Sequence, residues 1–377
     1  MNKLLLNGTA IAGLALALTA TPAAAEIDLG LGGHVSAYGI FANQDDGVGE
    51  AAAGLSDSDF QRETEIYFTG ETTLDNGLTV GVEVQLEGGT KADQIDESYL
   101  YFSGDWGRVN LGSENGASYL LQVGAPAVDA NFDGIDPEYH VVASGANGAV
   151  DTNRGLSYGM GFGGDESRGD VEKVTYLSPV FSGFQVGVSY TPDFGTALTG
   201  GEDDGVRAGF PSEATAADYN NGLEVAGRWA GEFEGVGVTV GAGWAEAQQE
   251  VATAANDDRE QWNVGANVNF AGFTVGGAYF TDNEGADQNG DRETYVLGAN
   301  YATGPYTVGA SYLNTEKEVG VGVEDNAKRV LVGGSYAYGP GMSFNGAVHF
   351  YEIEDDAGSA ADENDATVLT LGTVVKF

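Results

Sequence analysis

The stretch from Trp262 to Phe270 reads WNVGANVNF, and it decides the fold. Apolar side chains occupy every second position, and Asn or Gly occupies the positions between them. A period of two puts successive side chains on opposite faces of a β-strand. The same alternation runs through 184–190 and 306–312. The polar face is made of small residues throughout, which argues against the half-buried sheet of a soluble protein.

An internal repeat carries this pattern along the chain. The sequences FQVGVSY, VTVGAGW, FTVGGAY and YTVGASY begin at Phe184, Val238, Phe273 and Tyr306, and LTVGVEV at Leu78 is a looser copy. The last three tight copies recur about every 33–35 residues. That spacing suits one hairpin of two strands together with its connections.

The connections between the predicted strands alternate between short and long. The short ones have the glycine-rich composition of tight turns and lie at 74–77, 104–107, 181–183, 234–235, 271–272, 304–305 and 339–341. The long ones are acidic and lie at about 43–58, 113–169, 193–220, 251–257, 284–291, 318–326 and 355–364. This plan, with aromatic residues at the ends of the apolar faces, is typical of an outer-membrane β-barrel.

Counting the alternating segments predicts an all-β fold, a transmembrane antiparallel β-barrel of about 16 strands. An even number lets the last strand pair with the first, which removes both unpaired edges from the lipid. A barrel of this size is wide enough for an aqueous channel.

The N-terminal residues predict export. Residues 1–25 combine a positive start, an uncharged apolar run over 4–18 and an A-x-A cleavage pattern at Ala23 and Ala25. The apolar run is shorter than the ~20 residues that span a bilayer, which argues against a membrane anchor. We therefore predict a signal peptide over 1–25 and a barrel domain over 26–377.

Composition excludes several function classes. The 377 residues carry a net charge of −42 and no cysteine. The charge argues against nucleic-acid binding, and the lack of cysteine leaves no disulfide framework and no thiolate site. Such a charge favours cations as partners or passengers, although it is equally compatible with solubility in salty water.

Three stretches resemble a known family. They are YLYFSGDWGRVNLGSENGAS at 99–118, the C-terminal TVLTLGTVVKF ending in Phe377, and EIDLGLGGHVSAYG at 26–39. They resemble the general diffusion porins of Gram-negative bacteria, in particular the trimeric alphaproteobacterial porins. The first resembles the element that leads into the porin constriction loop, and the second resembles the C-terminal signal recognised by barrel-assembly machinery. The resemblance covers the mature chain in pattern, and only these short stretches in residues.

The resemblance implies a homotrimer in the cell outer membrane, surrounded by lipid and lipopolysaccharide. It also implies passage of ions and small hydrophilic solutes, and a long third loop folded into the lumen. Here that loop is the segment from about Glu114 to Arg168. In the family, acids on this loop face a cluster of arginines on the opposite wall. The corresponding acids here would be Asp129, Asp133, Asp136 and Glu138.

The wall departs from the family pattern. A position that resembles a family wall cation holds His34, and the predicted inward positions of strands 2 and 3 hold acids: Glu63, Glu65, Glu71, Glu83 and Glu87. Arg108 and Arg228 could face inward, whereas the parity of Arg62 favours the other face or the loop end. We therefore expect an eyelet lined mainly by acids, which concentrates cations. The predicted constriction consists of Asp129, Asp133, Asp136, Glu138, His34, Glu65 and Arg108.

Other interpretations stay open at this point. A channel with a saturable solute site would have the same sequence pattern, and an exported soluble acidic β-protein, acting as an adhesin or calcium binder, would share its charge. The three histidines, at positions 34, 140 and 349, lack the partners of a catalytic triad, so we expect no enzyme activity. We expect no cofactor either, apart from Ca²⁺ that acidic loops such as 287–291 could bind. The tryptophans are expected to anchor the protein at the membrane interface.

Overall fold

The computed structural model of the chain is a closed antiparallel β-barrel of sixteen strands. The structure describes residues 27–44, 57–89, 95–137, 139, 156–162, 170–194, 219–251, 257–286, 290–354 and 364–377. The predicted signal peptide lies outside these ranges. The barrel of about 16 strands that the alternation predicted is confirmed.

Each strand pairs with its neighbours in chain order, and the last pairs with the first. The strands are Asp28–Gln44 (β1), Ser58–Thr73 (β2), Thr79–Glu87 (β3), Ser98–Gly104 (β4), Gly107–Ser113 (β5), Glu172–Leu177 (β6), Phe184–Asp193 (β7), Tyr219–Phe233 (β8), Val236–Gln249 (β9), Arg259–Phe270 (β10), Phe273–Asp282 (β11), Arg292–Thr303 (β12), Tyr306–Gly320 (β13), Val323–Gly339 (β14), Met342–Glu354 (β15) and Asn364–Lys376 (β16). Two helices of a single turn, Ala117–Leu120 (α1) and Ala130–Asp133 (α2), lie between β5 and β6.

The apolar face of the strands points outward. On β10, Val264, Val268 and Phe270 are 48%, 45% and 57% exposed, whereas the alternating Asn263 is 2% exposed. An exposed apolar face and a buried polar face invert the arrangement of a soluble protein. Lipid accounts for this inversion, because it covers the apolar side chains that water would not.

Aromatic side chains form clusters on the outer face at both ends of the barrel. Near the short turns, the ring centroids of Phe273 and Tyr301 are 4.4 Å apart. Near the other end, the rings of Trp262 and Tyr279 are 5.3 Å apart, and those of Tyr279 and Tyr295 are 4.9 Å apart. These clusters match the aromatic girdles of outer-membrane barrels, whose side chains lie at the two membrane–water interfaces.

Two-residue turns join the strands at one end. In the turn between β10 and β11, Ala271 has φ 49° and Gly272 has φ 87°, and between β8 and β9 Glu234 has φ 49° and Gly235 has φ 83°. Two successive positive φ angles are characteristic of the hairpin turn that matches the twist of the strands. The short connections predicted from glycine-rich composition are therefore confirmed.

One predicted connection is wrong. The acidic stretch 318–326 was expected to be a long loop, but β13 continues to Gly320 and β14 begins at Val323. Only Val321 and Gly322 form the turn. Strands that project beyond the lipid lose the need for an apolar outer face, so their sequence no longer alternates in polarity.

The barrel closes through β1 and β16, whose register places His34 opposite Lys376. Beyond this ladder, the backbone N–H of Gly33 donates to the carbonyl of Phe377 at 3.1 Å, and the N–H of Phe377 donates back to Gly33 at 3.0 Å. Among the helices in the described ranges, none is long and apolar enough to cross a membrane.

Candidate functional site: the barrel interior

Acidic side chains line one sector of the inner face. They come from alternate positions of β2 and β3, namely Glu63, Glu65, Glu71, Glu83 and Glu87. Glu65 and Glu87 are direct cross-strand partners, and their carboxylates lie with that of Asp96 within 4.8 Å of one another. These acids lie on the inner face of the strands, as their alternation in the sequence predicted. Inner-face positions of β2 and β3, strands described in full, hold acids or neutral residues and no base.

His34 belongs to this acidic sector. Its Nδ1 lies 3.6 Å from Oε2 of Glu65 and 3.3 Å from the hydroxyl of Tyr67, which also donates to Glu65. The structure thus brings together two of the residues predicted for the constriction, His34 and Glu65. Arg62, on the same strand as Glu65, is exposed and has the opposite parity, as predicted.

A tyrosine-rich surface continues the acidic sector onto β4 and β5. Arg108 stacks its guanidinium 3.8 Å from the centroid of the Tyr101 ring, and its Nε donates to Oδ1 of Asn110 at 2.6 Å. The Tyr101 hydroxyl donates to Glu71 at 2.5 Å. Arg108 is therefore held beside the acids by a cation–π contact, and it offers a flat polar and aromatic surface to the interior.

The segment that follows β5 contacts the inner face of strands around the barrel. The N–H of Ala117 donates to Oγ of Ser189 on β7 at 2.8 Å, and the N–H of Ser118 donates to Glu224 on β8 at 3.1 Å. Further along the segment, Ser311 on β13 donates to a carboxylate oxygen of Asp133 at 2.7 Å. Residues 117–133 thus run along the wall from β7 towards β13.

Two of the predicted loop acids are buried against this wall. Asp129 caps α2 and accepts a hydrogen bond from the hydroxyl of Tyr38 at 2.8 Å. Asp133 is 1% exposed and accepts the backbone N–H groups of Val128 and Asp129, both at 2.9 Å. Their charges are therefore largely satisfied by donors. Burial raises the pKa of Asp133, although the neighbouring Arg329 opposes the shift.

The other two predicted loop acids, Asp136 and Glu138, are not shown to be buried against the wall. Asp136 is exposed and accepts a hydrogen bond from Oγ of Ser157 at 3.1 Å. Glu138 lies outside the described residues, as does His140. The assignment of these acids to a constriction stays a prediction.

Buried bases that the sequence pattern did not reveal lie across the barrel from the acidic sector, on strands β10 to β14, here called the far wall. Arg259 and Asp282 are 2.5 Å apart, and Arg292 lies 3.8 Å from the same carboxylate. Glu284 continues the network to Lys317 at 2.5 Å. Cross-strand register could have identified this cluster, because the tight turn after Phe270 fixes which residues of β10 and β11 face each other.

Arg329 on β14 supports the segment directly. It is 1% exposed and donates to the carbonyl oxygen of Phe132. Phe132 also packs edge-on against the ring of His349, with centroids 5.1 Å apart. The described bases of this wall are therefore engaged by acids or by the segment.

A second set of buried acids lies where the segment leaves β5 and returns to β6. Glu114 is 3% exposed, and its Oε2 accepts the amide of Asn110 at 2.8 Å. Burial raises the pKa of Glu114 to about 7, and the neighbouring charge of Glu97 adds to the increase. The amide of Asn110 and the ammonium group of Lys173 lower it in part.

A closed barrel with an apolar, aromatic-banded outer face and a charged inner face defines a class of protein, the outer-membrane channel. Within this class the family is shown by the sequence. The model of the Gram-negative porin family matches residues 10–356, and the chain belongs to that family. Porins are channels and not enzymes, and this one belongs in the outer membrane, which replaces the alternative of a soluble exported protein.

Solved porin structures share the fold. An anion-selective porin from Comamonas acidovorans is similar with a TM-score of 0.59 at 18% identity, covering 93% of this chain and 100% of the other. The trimer form of OmpT, an outer-membrane protein of Vibrio cholerae, gives a TM-score of 0.59 at 14% identity, covering 93% and 99%. A mutant of the Rh. blastica porin gives 0.54 at 18% identity, covering 93% and 100%.

Curated relatives match a smaller part of the chain. An uncharacterised protein of Rickettsia prowazekii is 32% identical over 152 residues, 37% of this chain and 34% of the relative. One from Rickettsia conorii is 30% identical over 142 residues, 34% of this chain and 32% of the relative. The match spans about a third of the length of these relatives.

Proposed function

We propose that this porin conducts ions and small hydrophilic solutes by passive diffusion and prefers cations. One observation carries the preference: the inner face of β2 and β3 presents six acids, Asp59 and five glutamates, and no base. The described bases of the far wall, such as Arg259 and Arg292, are in contrast paired with Asp282 and Glu284.

The physical argument is electrostatic. A cation ~4 Å from a carboxylate gains about 1 kcal/mol even in the dielectric of bulk water, and an anion loses as much. Fixed acids in a narrow passage therefore raise the local concentration of cations and lower that of anions. The segment 117–137 would narrow the passage and bring solutes closer to the acidic sector.

The test is the reversal potential of the purified protein in a planar bilayer under a potassium chloride gradient. We expect potassium to be more permeant than chloride. A preference for chloride would overturn the proposal. The comparison with the Comamonas acidovorans protein, described as anion-selective, shows why the measurement matters: a shared fold leaves the sign of selectivity to the wall charges.

A second candidate is a channel with a saturable solute site. The stacking of Arg108 on Tyr101, with Tyr99 and two acids beside it, favours this candidate because a flat aromatic surface ringed by polar groups suits a sugar or a cationic ring. Current blocked by millimolar solute, with saturation, would support it. A current that does not depend on added solute would favour the general diffusion channel.

We further propose that the protein assembles as a homotrimer, surrounded by lipid and lipopolysaccharide. The trimer form of the Vibrio cholerae relative supports the assembly, and the two aromatic girdles support contact with lipid. Single-channel recordings test the trimer, since three equal conductance steps per insertion are expected. Single steps would favour a monomer.

A further inference from the structure

The wall beneath residues 121–127 is built from the smallest side chains. Its inner-face positions across β7 to β12 are Gly187, Ala226, Gly241, Gly265, Ala278 and Gly298. Register connects them, for instance through Gly241 opposite Gly265 and Gly265 opposite Ala278. On β10 the flanking inner-face positions hold the larger Asn263 and Asn267, so this track of small residues forms a groove in the wall.

The backbone of the segment fills that groove. A Cβ placed on Gly265 would lie 1.7 Å from the carbonyl oxygen of Val123, and one on Gly298 would lie 2.2 Å from the carbonyl oxygen of Pro126. A Cβ on Gly241 would lie 2.6 Å from Cγ2 of Val123. A side chain at Gly265 or Gly298 would collide with the backbone of the segment and displace it from the wall, whereas one at Gly241 meets only the side chain of Val123 this closely.

Two asparagines hold the segment in the groove. The amide of Asn267 donates to the carbonyl oxygen of Gly124 at 2.9 Å. The amide of Asn300 donates to the carbonyl oxygen of Ala127 at 2.6 Å. These bonds come from β10 and β12 and grip the segment at points three residues apart.

The two asparagines that bind the segment occur in the same sequence motif. Each asparagine follows its groove glycine in the tripeptide G-A-N, at 265–267 and again at 298–300. Each lies opposite the glycine of the next T-V-G motif, Gly276 or Gly309. A Cβ on these glycines would lie 1.8 Å and 2.1 Å from the asparagine Oδ1 atoms, so the T-V-G glycine makes room for the asparagine.

We propose that the hairpin repeat G-A-N…T-V-G is a docking seat for residues 121–127, with Asn267 and Asn300 as its positioning residues. The seat holds the segment against the far wall and thereby sets the free width on the side of the acidic sector. The consequence for width rests on the proposed channel function, whereas the seat itself rests on geometry alone.

In the looser copy of the motif, the space beside the glycine is filled by a wall side chain instead of an asparagine. At Gly81, in LTVGVEV on β3, a Cβ would lie 2.2 Å from the ring of Tyr101. There the glycine accommodates a wall side chain, and the preceding strand has Glu71 at the paired position. Within the described ranges, only the copies that carry G-A-N on the preceding strand contact the segment through an asparagine.

Disulfide trapping tests the seat, and the chain suits it because it contains no cysteine. Val123→Cys with Gly241→Cys places the two Cβ atoms about 3.3 Å apart, a few tenths of an ångström short of the usual disulfide range. The matched control is Val123→Cys with Val240→Cys. Val240 neighbours Gly241 but points to the outer face, so the wall separates it from the segment.

We expect the first pair to oxidise rapidly in the folded, detergent-purified barrel and the control pair to stay reduced. No disulfide in the first pair, or equal oxidation of both pairs, would overturn the seat. Migration of unboiled protein in SDS gels verifies that each variant is folded. This readout needs no current, so it stands whether or not the channel prefers cations.

The positioning role is tested by adding Asn267→Ala and Asn300→Ala to the first pair. Each lost hydrogen bond should raise the detached population roughly fivefold, so oxidation slows and the open-channel current of the cysteine-free double variant becomes noisier. Asn269→Ala is the control, because Asn269 bonds Thr274 and not the segment. Unchanged oxidation and noise in the double variant would show that the asparagines do not position the segment.

Discussion

The pair Glu65 and Glu87 offers the sharpest test of how the wall charges control selectivity. Replacing both by glutamine keeps the shape of the side chains and removes two charges from one level of the acidic sector, where register places them side by side. The reversal potential of the variant, compared with that of the parent, gives the change in the ratio of potassium to chloride permeability.

The expected magnitude follows from distance and screening. A cation about 5 Å from each carboxylate gains about 0.8 kcal/mol per acid in the dielectric of water. A Debye length of ~10 Å at 0.1 M salt leaves roughly 0.5 kcal/mol per acid. Two acids therefore enrich cations about fivefold and deplete anions about fivefold. Because Glu63, Glu71 and Glu83 remain on the same face, we expect a drop of at least fivefold in the permeability ratio rather than its complete loss.

The control removes the same charge elsewhere. Asp75 and Asp105 are exposed in the tight turns after β2 and β4, so Asp75→Asn with Asp105→Asn should change the ratio by less than about twofold at the same salt. An unchanged ratio in the variant at positions 65 and 87 would refute the electrostatic argument. An equal drop in the turn variant would show that net charge matters and position does not.

Three further predictions follow from other features. Raising the salt concentration to ~1 M shortens the Debye length to about 3 Å, so the permeability ratio should fall towards unity; a constant ratio would argue for a steric filter. Burial raises the pKa of Glu114 to about 7 against an ordinary 4.5, so the folded state binds the proton more tightly; the contribution of Glu114 to stability is greatest below pH 4.5 and falls by roughly 3 kcal/mol as pH rises through 7. Glu114→Gln should reduce the loss of stability between about pH 5 and about pH 8, as thermal unfolding of parent and variant would show, and an equal loss in both proteins would contradict the prediction. Asp282→Asn leaves Arg259 and Arg292 buried with one acid fewer and should cost about 3–5 kcal/mol, whereas Glu352→Gln, which breaks an exposed pair with a lysine, should cost less than about 1 kcal/mol; equal unfolding temperatures for the two variants would contradict this.

The alternation of polarity predicted most of the fold because lipid enforces it. Where a strand lies in the membrane, as from Trp262 to Phe270, every outward side chain must be apolar, so sequence alone placed the strand. Above the membrane that requirement disappears. Glu318 and Glu324 therefore resemble loop residues, although they lie on strands β13 and β14.

The interior was predictable only in part. Parity along one strand placed His34 and Glu65 on the inner face, because parity is a local property. The network of Arg259, Asp282 and Arg292 depends on three strands, so it needed the register of two hairpins. The burial of Asp133 depends on where a segment of some twenty residues lies, and no periodicity in the sequence reports that position.

The hairpin repeat has a consequence for how such proteins could evolve. Its two copies stand a constant 33 residues apart, and each contains a turn, two strands, a groove glycine and an asparagine. Duplicating one unit in the gene would add two strands at once, so the sheet would still close. The added strands would already carry a groove glycine and an asparagine that bind the segment. The barrel could therefore gain circumference and keep the segment bound to its inner wall.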